Sequence, residues 1–262
     1  MRKIDLNEEI SNIVDFIQNE LKKAGFSKVI IGLSGGLDSS VVAALCVRAI
    51  SMENVLGVMM PYWRSHPNSL KHAKELSKIL GIKYEIIDIS PMVDVYFDKF
   101  ESEVNYIRRG NRMARERMCI LYDLSAKYRA LVVGTGNKSE IMVGYCTQYG
   151  DNACAFEPIG HIYKTEVANI AKLLKLPESV INKKPTADLW ADQTDEKEMD
   201  ITYKRLDEIL YNLLDLELEK EEITKKGFSQ GEIEKVQRMI KKSGFKRTTP
   251  PKPAISTIEE NR

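Results

Sequence analysis

The stretch "GLSGGLDSSVVAAL", residues 32–45, joins two segments of different character. It follows the β-branched run 29–31 and leads into an apolar sequence with helical spacing at 39–50. Two adjacent glycines, Gly35 and Gly36, can take positive φ and let backbone N–H groups come close to a bound anion. The helix that follows directs the free N–H groups of its first turn toward the same point. The stretch therefore predicts a strand, a phosphate-binding turn and a helix.

Asp38 lies inside this turn, where a carboxylate would repel a bound phosphate. A divalent cation would remove the repulsion, so the turn predicts magnesium shared between Asp38 and the phosphates. Ser34, Ser39 and Ser40 add hydroxyl donors. No Gly-Lys-Ser/Thr follows and the G-x-G-x-x-G spacing is missing, which excludes a Walker loop and a dinucleotide fingerprint. Taken alone, the turn also fits a purely structural role in which the serines cap the helix.

Strands and helices alternate through the first half of the chain. The patterns predict strands at 27–33, 54–60, 83–89 and 130–135, and helices at 7–23, 39–50, 68–80 and 111–128. Short apolar strands separated by helices are typical of a parallel sheet covered on both faces. We therefore predict an α/β, doubly wound fold with a mainly parallel sheet. Beyond residue 136 the patterns predict no strand, only loops and helices at 164–175, 178–183, 195–213 and 229–242.

Length and composition bound the classes of function. A chain of 262 residues can bury one large core, so we predict a single domain over 1–262. Its Pro- and Thr-rich segment 243–262 is predicted to be an irregular tail. A formal net charge of +1 argues against a general nucleic-acid or membrane-surface binder. Four cysteines without C-x-x-C spacing argue against a zinc or disulfide framework. The charged N-terminus lacks the features of a signal peptide, so we expect a cytoplasmic protein.

The sequence S-G-G-L-D-S-S after a strand resembles the pyrophosphate-binding loop of the ATP pyrophosphatases, which cleave ATP between its α and β phosphates. Five further stretches are similar to NAD synthetase in order and spacing: "GNRMARERMCILYDLSA" (110–126), "VVGTGNKSEIMVGY" (132–145), "YGD…PIGHIYKTEV" (149–167), "KPTADLWADQTDE" (184–196) and "FKRTTPP" (245–251). The resemblance covers residues 28–251 and implies the fold of the adenine nucleotide alpha hydrolases. It identifies the chain as similar to the ammonia-dependent NAD synthetases.

The resemblance implies an ATP site built on the glycine-rich turn and three residues beyond it. These are Gly32, Leu33, Ser34, Gly35, Gly36, Leu37, Asp38, Ser39, Thr135, Lys164 and Thr186. Lys164 would place a point charge on the phosphates, where negative charge shifts during the reaction. Thr186 belongs to a loop that could close over the nucleotide. Glu140 is expected to share a magnesium ion with Asp38.

A second set of residues is expected to bind nicotinic acid adenine dinucleotide, the deamidated form of NAD. By resemblance the set comprises Arg115, Gln148, Asp151, Phe245 and Lys246. Arg115 and Arg117 are two apart on a helix and do not share a face. With Arg115 assigned to the dinucleotide, Arg117 is interpreted as an ordinary surface residue, and so is Arg112.

Three positions depart from the family pattern. Gln148 stands where a lysine is often found, Ala155 where an aspartate is often found, and Phe245 where a histidine is usual. We expect these departures to shift contacts with the dinucleotide rather than to change the substrate. How the dinucleotide is held at these positions is left open by the sequence.

The reaction that the resemblance implies has two steps. The nicotinate carboxylate attacks the α phosphate of ATP, which gives an acyl adenylate and pyrophosphate; ammonia then expels AMP. Neither step needs a protein nucleophile. Asp151 is a candidate base for ammonia. Because the turn begins at residue 32, no glutamine-hydrolysing domain fits ahead of it, and free ammonia is the expected nitrogen source unless a separate glutaminase supplies it. The resemblance also implies a homodimer that uses small-molecule substrates and neither nucleic acid nor membrane.

Three other functions remain open from the sequence. A tRNA-thiolating enzyme of the same group would need a cysteine pair and a basic RNA-binding face, and both are missing from the pattern. A non-catalytic nucleotide-binding module would need fewer charged groups than Asp38, Glu140 and Lys164 together. An amide ligase that acts on another carboxylate is the third alternative, motivated by the departures from the family pattern.

Overall fold

A parallel sheet lies at the centre of the computed structural model, which describes residues 2–100, 104–186, 188–190 and 193–253. Within these residues the strands of the sheet are Val29–Gly32 (β1), Val55–Met59 (β2), Lys83–Ile86 (β3) and Leu131–Val133 (β4). Their spatial order is β3-β2-β1-β4, and Val29 is in register with both Val55 and Leu131. The chain thus reverses its direction of winding between β1 and β4. Ligands of such sheets bind at that point, beyond the carboxyl ends of the strands.

Helices account for most of the remaining described chain. In chain order they are Leu6–Ala24 (α1), Leu37–Ile50 (α2), Pro67–Leu80 (α3), Ser90–Phe100 (α4), Tyr106–Tyr128 (α5), Lys138–Val143 (α6), Lys164–Leu173 (α7), Glu178–Ile181 (α8), Asp195–Met199 (α9), Tyr203–Leu210 (α10), Lys220–Lys225 (α11) and Gln230–Lys242 (α12). A π-helical turn, Tyr211–Asp215, extends α10, and single 3-10 turns lie at Met52–Asn54 and Gly244–Arg247. No helix in the described ranges combines the length and the apolar character that crossing a membrane requires.

The two faces of the sheet are covered by different helices, which confirms the predicted doubly wound fold. Val29 and Ile31 of β1 pack into a core with α1, α2, α3 and α7. Ile30, between them, packs on the opposite face with α4 and α5. This alternation follows from the two-residue period of a strand, and full burial on both faces explains why β1 is apolar throughout.

A third apolar core joins the helices of the second half of the chain, away from the sheet. Leu206, Ile209, Ile223, Ile233 and Val236 belong to it and are fully buried. These residues come from α10, α11 and α12, so the part of the chain without predicted strands forms a helical cluster of its own.

The sequence prediction differs from the structure at several helices. The predicted helix 195–213 is wrong, because the chain breaks after α9, where Asp200 takes a left-handed conformation with φ +50. The helices α4 and α11 were not predicted. Of the predicted tail 243–262, the structure gives the 3-10 turn Gly244–Arg247 and no regular structure over 248–253. Residues 254–262 lie outside the described ranges.

Candidate active site

The glycine-rich turn owes its shape to one glycine. Gly35 has φ +68, and a Cβ atom there would lie 2.1 Å from the carbonyl oxygen of Ser69. Gly36, in contrast, has an extended backbone with φ −95 and precedes the first turn of α2, so the expectation of positive φ at Gly36 is wrong. Its N–H donates to Ser34 Oγ at 3.2 Å, and its carbonyl accepts from Ser40 Oγ at 2.6 Å. The turn is therefore held both by close backbone packing and by its own serines.

We expect Gly35→Ala to destabilise the fold by about 3 kcal/mol, since it adds a steric clash to the strain of a positive φ. Gly25→Ala is the matched control, because Gly25 has φ +73 and a Cβ there would meet nothing within 4 Å. The control should cost only about 1 kcal/mol. Urea unfolding of both variants measures the difference. Equal losses would show that close approach to Ser69 is not what requires glycine.

Three helices begin at one point beyond the sheet, and each contributes a charged residue from its first turn. Asp38 comes from α2, Glu140 from α6 and Lys164 from α7. Lys164 Nζ donates to Asp38 Oδ2 at 2.5 Å and to Glu140 Oε1 at 2.9 Å. The ammonium is buried, with Lys164 only 6% exposed. The structure therefore brings together the three charged groups that the sequence analysis assigned to the phosphates and the metal ion.

The charged groups at this point shift one another's pKa values. Burial alone would lower the pKa of Lys164, but the adjacent carboxylates of Asp38 and Glu140 outweigh it and raise that pKa. Burial raises the pKa of Glu140, Lys164 opposes the rise, and the negative charge of Asp38 adds to it. One ammonium thus balances two carboxylates that would otherwise repel each other.

A second layer of residues orients these groups, and sequence reasoning missed it. Asn137 Nδ2 donates to Asp38 Oδ1 at 3.0 Å, and Asn137 Oδ1 accepts from the N–H of Glu140 at 3.1 Å. The hydroxyl of Tyr203 lies 3.1 Å from Glu140 Oε1 and 3.0 Å from Asp195 Oδ2. Asn137 was detectable as a helix cap, because it stands three residues before Glu140, the spacing of a capping box. Nothing in the sequence places Tyr203 beside Glu140.

The two carboxylates are the residues whose chemistry fits a magnesium ion. Asp38 Oδ2 and Glu140 Oε1 both accept from Lys164 Nζ and are therefore close together. A metal ion between them would meet two oxygen ligands. Magnesium is commonly held by one or two carboxylates, with phosphate oxygens and water completing its shell. The described residues contain no cluster of three metal-ligating side chains. The donor set therefore fits magnesium that binds together with phosphates.

A cavity of about 1050 Å³ opens at this point. Its volume lies at the upper end of the usual range for small-ligand sites, roughly 300–1,000 Å³. Of the predicted ATP residues it is lined by Gly32, Leu33, Ser34, Gly36, Leu37, Asp38, Ser39, Thr135, Lys164 and Thr186, and the predicted metal ligand Glu140 also lines it. Gly35 is not on the wall, and its carbonyl accepts from Lys183 Nζ at 3.2 Å.

The loop that carries Thr186 is folded against the glycine-rich turn. Asp188 accepts from the N–H of His66 at 2.9 Å and from Ser69 Oγ at 2.8 Å. Lys183 Nζ donates to the same Ser69 Oγ at 3.0 Å. These contacts hold the loop at the start of α3, on the cavity wall. Neither Lys183 nor Asp188 was singled out from the sequence.

The predicted dinucleotide residues divide into two groups. Asp151 and Lys246 line the cavity, while Arg115, Gln148 and Phe245 do not. Arg115 is exposed, and its Nε donates to the carbonyl of Gln148 at 3.2 Å. Phe245 is also exposed.

Arg117, interpreted from the sequence as a surface residue, is partly buried and lines the cavity. Its Nε donates to the carbonyl of Met60 at 3.1 Å. Burial lowers the pKa of Arg117, and the negative charges of Asp188 and Asp151 oppose this. The surface interpretation is therefore wrong, and α5 turns Arg117 rather than Arg115 toward the cavity.

The segment after α12 is tied to the last turn of α6. Lys246 Nζ donates to the carbonyls of Gly144 at 2.8 Å and Cys146 at 2.6 Å. Arg247 Nη1 donates to the carbonyl of Met142 at 2.7 Å. Cations at a helix C-terminus satisfy carbonyls that lack partners within the helix. The basic pair thus stabilises the loop that leads from α6 to Asp151.

The chain is similar to known proteins over nearly its whole length. A model of the NAD synthase family matches residues 9–250. The chain is 50% identical, over 95% of its length and 97% of the relative, to an NH(3)-dependent NAD(+) synthetase of Fusobacterium nucleatum. It is 44% identical to an NH(3)-dependent NAD(+) synthetase of Thermococcus sibiricus, over 97% of this chain and all of that one.

Two solved structures share the fold over nearly the whole chain. An NH3-dependent NAD synthetase from Campylobacter jejuni, in complex with the nitrate ion, aligns with a TM-score of 0.82 at 35% identity and covers 96% of this chain and 100% of that one. An NMN synthetase from Francisella tularensis aligns with a TM-score of 0.86 at 28% identity and covers 97% of this chain and 100% of that one.

Proposed function

Since the chain belongs to the NAD synthase family, and is therefore an enzyme of the ligase class, we propose that it amidates nicotinic acid adenine dinucleotide to NAD with ammonia and ATP. The observation that carries the proposal is the meeting of Asp38, Glu140 and Lys164 at the first turns of three helices on the wall of one cavity. We further propose that the reaction proceeds through an acyl adenylate, releases pyrophosphate and AMP, and takes place in the cytoplasm.

The glycine-rich turn is suited to the β and γ phosphates of ATP. The first residues of α2 line the cavity, and the N–H groups of a helix's first turn have no partners inside the helix. Lys164 can follow the negative charge that builds up on the leaving pyrophosphate. Thr135 and Thr186 line the same cavity and are proposed to contact the nucleotide. These groups align ATP and neutralise charge, which is what the first step requires.

Asp38 and Glu140 are the proposed ligands of a magnesium ion that binds with ATP. When bound, magnesium supplies positive charge to the phosphate oxygens. Lys164 bridges the same carboxylates. It must therefore loosen at least one of these contacts when the nucleotide binds.

Asp151 is the proposed acceptor of the proton that ammonia loses. It lines the cavity, and its Oδ1 accepts from the N–H of Thr147 at 2.7 Å. Burial raises the pKa of Asp151, while the backbone hydrogen bond opposes the rise. A raised pKa makes a carboxylate a better proton acceptor near neutral pH.

We expect Asp151→Asn to lower the rate of NAD formation by about 100-fold, because an amide does not accept the proton. Adenylation should be nearly unchanged, since that step transfers no proton to Asp151. Exchange of labelled pyrophosphate into ATP measures the first step, and NAD release measures both. An unchanged second step would contradict the assignment, and loss of both steps would indicate a binding role instead.

Amidation of nicotinic acid mononucleotide is a second candidate. It is favoured by the likeness to the Francisella tularensis NMN synthetase and by the departures at Gln148, Ala155 and Phe245. The higher identity to proteins named as NAD synthetases favours the dinucleotide.

One assay separates these functions. The purified chain is incubated with ATP, magnesium, ammonium and either the dinucleotide or the mononucleotide, and all nucleotides are quantified by chromatography. The proposal expects NAD and AMP in equal amounts, with glutamine unable to replace ammonium. NMN formed faster than NAD would favour the second candidate. AMP without either product would indicate another carboxylate, and no turnover would indicate a nucleotide-binding module.

We propose that the protein forms a homodimer through α4 and the start of α5. Large apolar side chains are exposed there, with Val95 63%, Phe100 67% and Ile107 54% accessible. Tyr84 and Ile86 of the neighbouring strand β3 are exposed as well. Apolar side chains grouped in this way are typical of a protein–protein interface.

We expect Val95→Asp to shift the protein from dimer to monomer, because a carboxylate would be buried without a partner at the interface. Sedimentation equilibrium measures the mass of each form. Ile79→Asp is the matched control, since Ile79 is 57% exposed on α3, which covers the other face of the sheet. A dimer that persists in Val95→Asp, or dissociates equally in both variants, contradicts this interface.

A further inference from the structure

Asp207 is a buried carboxylate that the proposed reaction does not use. It lies on α10, is 0% exposed and is not on the wall of the cavity. Its Oδ1 accepts from the hydroxyl of Ser139 at 2.5 Å, and its Oδ2 accepts from the backbone N–H of Thr165 at 2.9 Å. Both donors belong to the first turns of helices, which leave N–H groups without partners inside the helix.

Each donor is the chain neighbour of an active-site residue. Ser139 directly precedes Glu140 on α6, and Thr165 directly follows Lys164 on α7. Ser139 Oγ, besides donating to Asp207, accepts from the backbone N–H of Lys164 at 2.9 Å. A continuous set of hydrogen bonds therefore joins α10 to the first turns of both helices.

Burying a carboxylate at this position carries a desolvation cost. Burial raises the pKa of Asp207 to about 6, while the hydrogen bonds from Ser139 and Thr165 oppose the rise. An asparagine has nearly the same shape and less desolvation cost, but one of its two polar atoms is a donor. That donor would face Ser139 Oγ, whose hydrogen would then need another acceptor. Only the carboxylate accepts from both helices without rearrangement of Ser139.

We propose that Asp207 is a positioning residue, which holds the first turns of α6 and α7 together so that Glu140 and Lys164 meet beside Asp38. The inference rests on the proposed function, since it takes these three groups as the ones that act on ATP. Asp207 acts through Ser139 and the backbone and touches no substrate.

The test compares Asp207→Asn and Ser139→Ala with Asn212→Ala. Asn212 is also buried and follows α10, but it bonds to Glu208 and Lys226, away from α6 and α7. We expect both test variants to lower kcat about 30-fold with KM for ATP changed less than about threefold, because a displacement near 1 Å costs up to about 100-fold in rate. The control should lose thermal stability but keep its kcat within about twofold of the unaltered chain.

Crystal structures of the unaltered chain and Asp207→Asn give a readout that does not depend on turnover. The separation of Lys164 Nζ and Glu140 Oε1, 2.9 Å here, should increase by about 1 Å in the variant. The variant that carries both Asp207→Asn and Ser139→Ala should have a kcat no lower than that of the slower single variant, since the two substitutions break the same connection.

Each of three results would overturn the inference. They are an unchanged separation of Lys164 Nζ and Glu140 Oε1, additive effects of the two substitutions on kcat, and an equal fall of kcat in Asn212→Ala. If Asp207→Asn does not fold, Ser139→Ala carries both the kinetic and the crystallographic comparison. If the unaltered chain forms no NAD, the proposed function fails, and the crystal structures alone still decide the role of Asp207.

Discussion

Lys164→Gln should lower kcat for NAD formation by about 1,000-fold, because it removes the buried positive charge at the point where pyrophosphate leaves. Glutamine keeps most of the side-chain length but cannot balance two carboxylates. Asp38 and Glu140 would then face each other with no ammonium between them. Breaking such a buried ion pair costs about 3–5 kcal/mol of stability, so the variant should also melt at a lower temperature.

Lys172→Gln is the control for this prediction. Lys172 lies on the same helix, α7, but is exposed. The Lys172→Gln substitution removes one positive charge outside the site, so both kcat and thermal stability should stay close to those of the unaltered chain. Steady-state kinetics are measured well below the melting temperature of the weaker variant, so that unfolding does not contribute. A kcat within tenfold of the original in Lys164→Gln would contradict the role of Lys164.

Asp38→Asn is expected to lower kcat/KM for ATP by about 100 to 1,000-fold, with little change in fold. The substitution is nearly isosteric, so the amide oxygen can keep the contact with Lys164, while the charge and the hydrogen bond from Asn137 Nδ2 are lost. The loss should fall on magnesium-dependent nucleotide binding, because a neutral amide is a weaker ligand for a hard cation than a carboxylate. Raising the magnesium concentration should partly restore the rate, and a titration of rate against magnesium measures this.

Asp15→Asn on α1 is the matched control, since Asp15 is exposed and lies on a helix that does not line the cavity. It should leave both the rate and the magnesium titration unchanged. A normal rate in Asp38→Asn would remove the basis for placing ATP at the glycine-rich turn. A reduced rate with an unaltered magnesium requirement would leave the nucleotide there but contradict the metal assignment.

The fold was predictable where one pattern controls a whole element. Strand β1 lies within the predicted 27–33, because a buried strand in a parallel sheet is apolar on both sides. The six-residue helix α11 offers less than two turns of periodicity and was missed. The break of the predicted helix at Asp200 was not predicted for a different reason. Met199, Ile201 and Tyr203 are all buried, so the apolar pattern continues across the break.

Prediction of the site depended on a different source of information for each residue. Asp38 followed from the turn itself, whereas Glu140 and Lys164 needed the family resemblance. The choice between Arg115 and Arg117 had a physical signal. Arg117 is four residues after the buried Met113 and so shares its face, while Arg115 does not. Asp207 had no such signal, since only tertiary packing brings α10 beneath α6 and α7.

The contacts of Lys246 and Arg247 with the end of α6 have a consequence for synthesis on the ribosome. The chain emerges from its N-terminus onward, so the strands and the glycine-rich turn are available long before these two residues. Until they arrive, carbonyls of residues 142–146 lack the cations that bond them in the finished protein. The sheet can therefore assemble early, whereas the loop bearing Asp151 gains its support only when the last part of the described chain has been made.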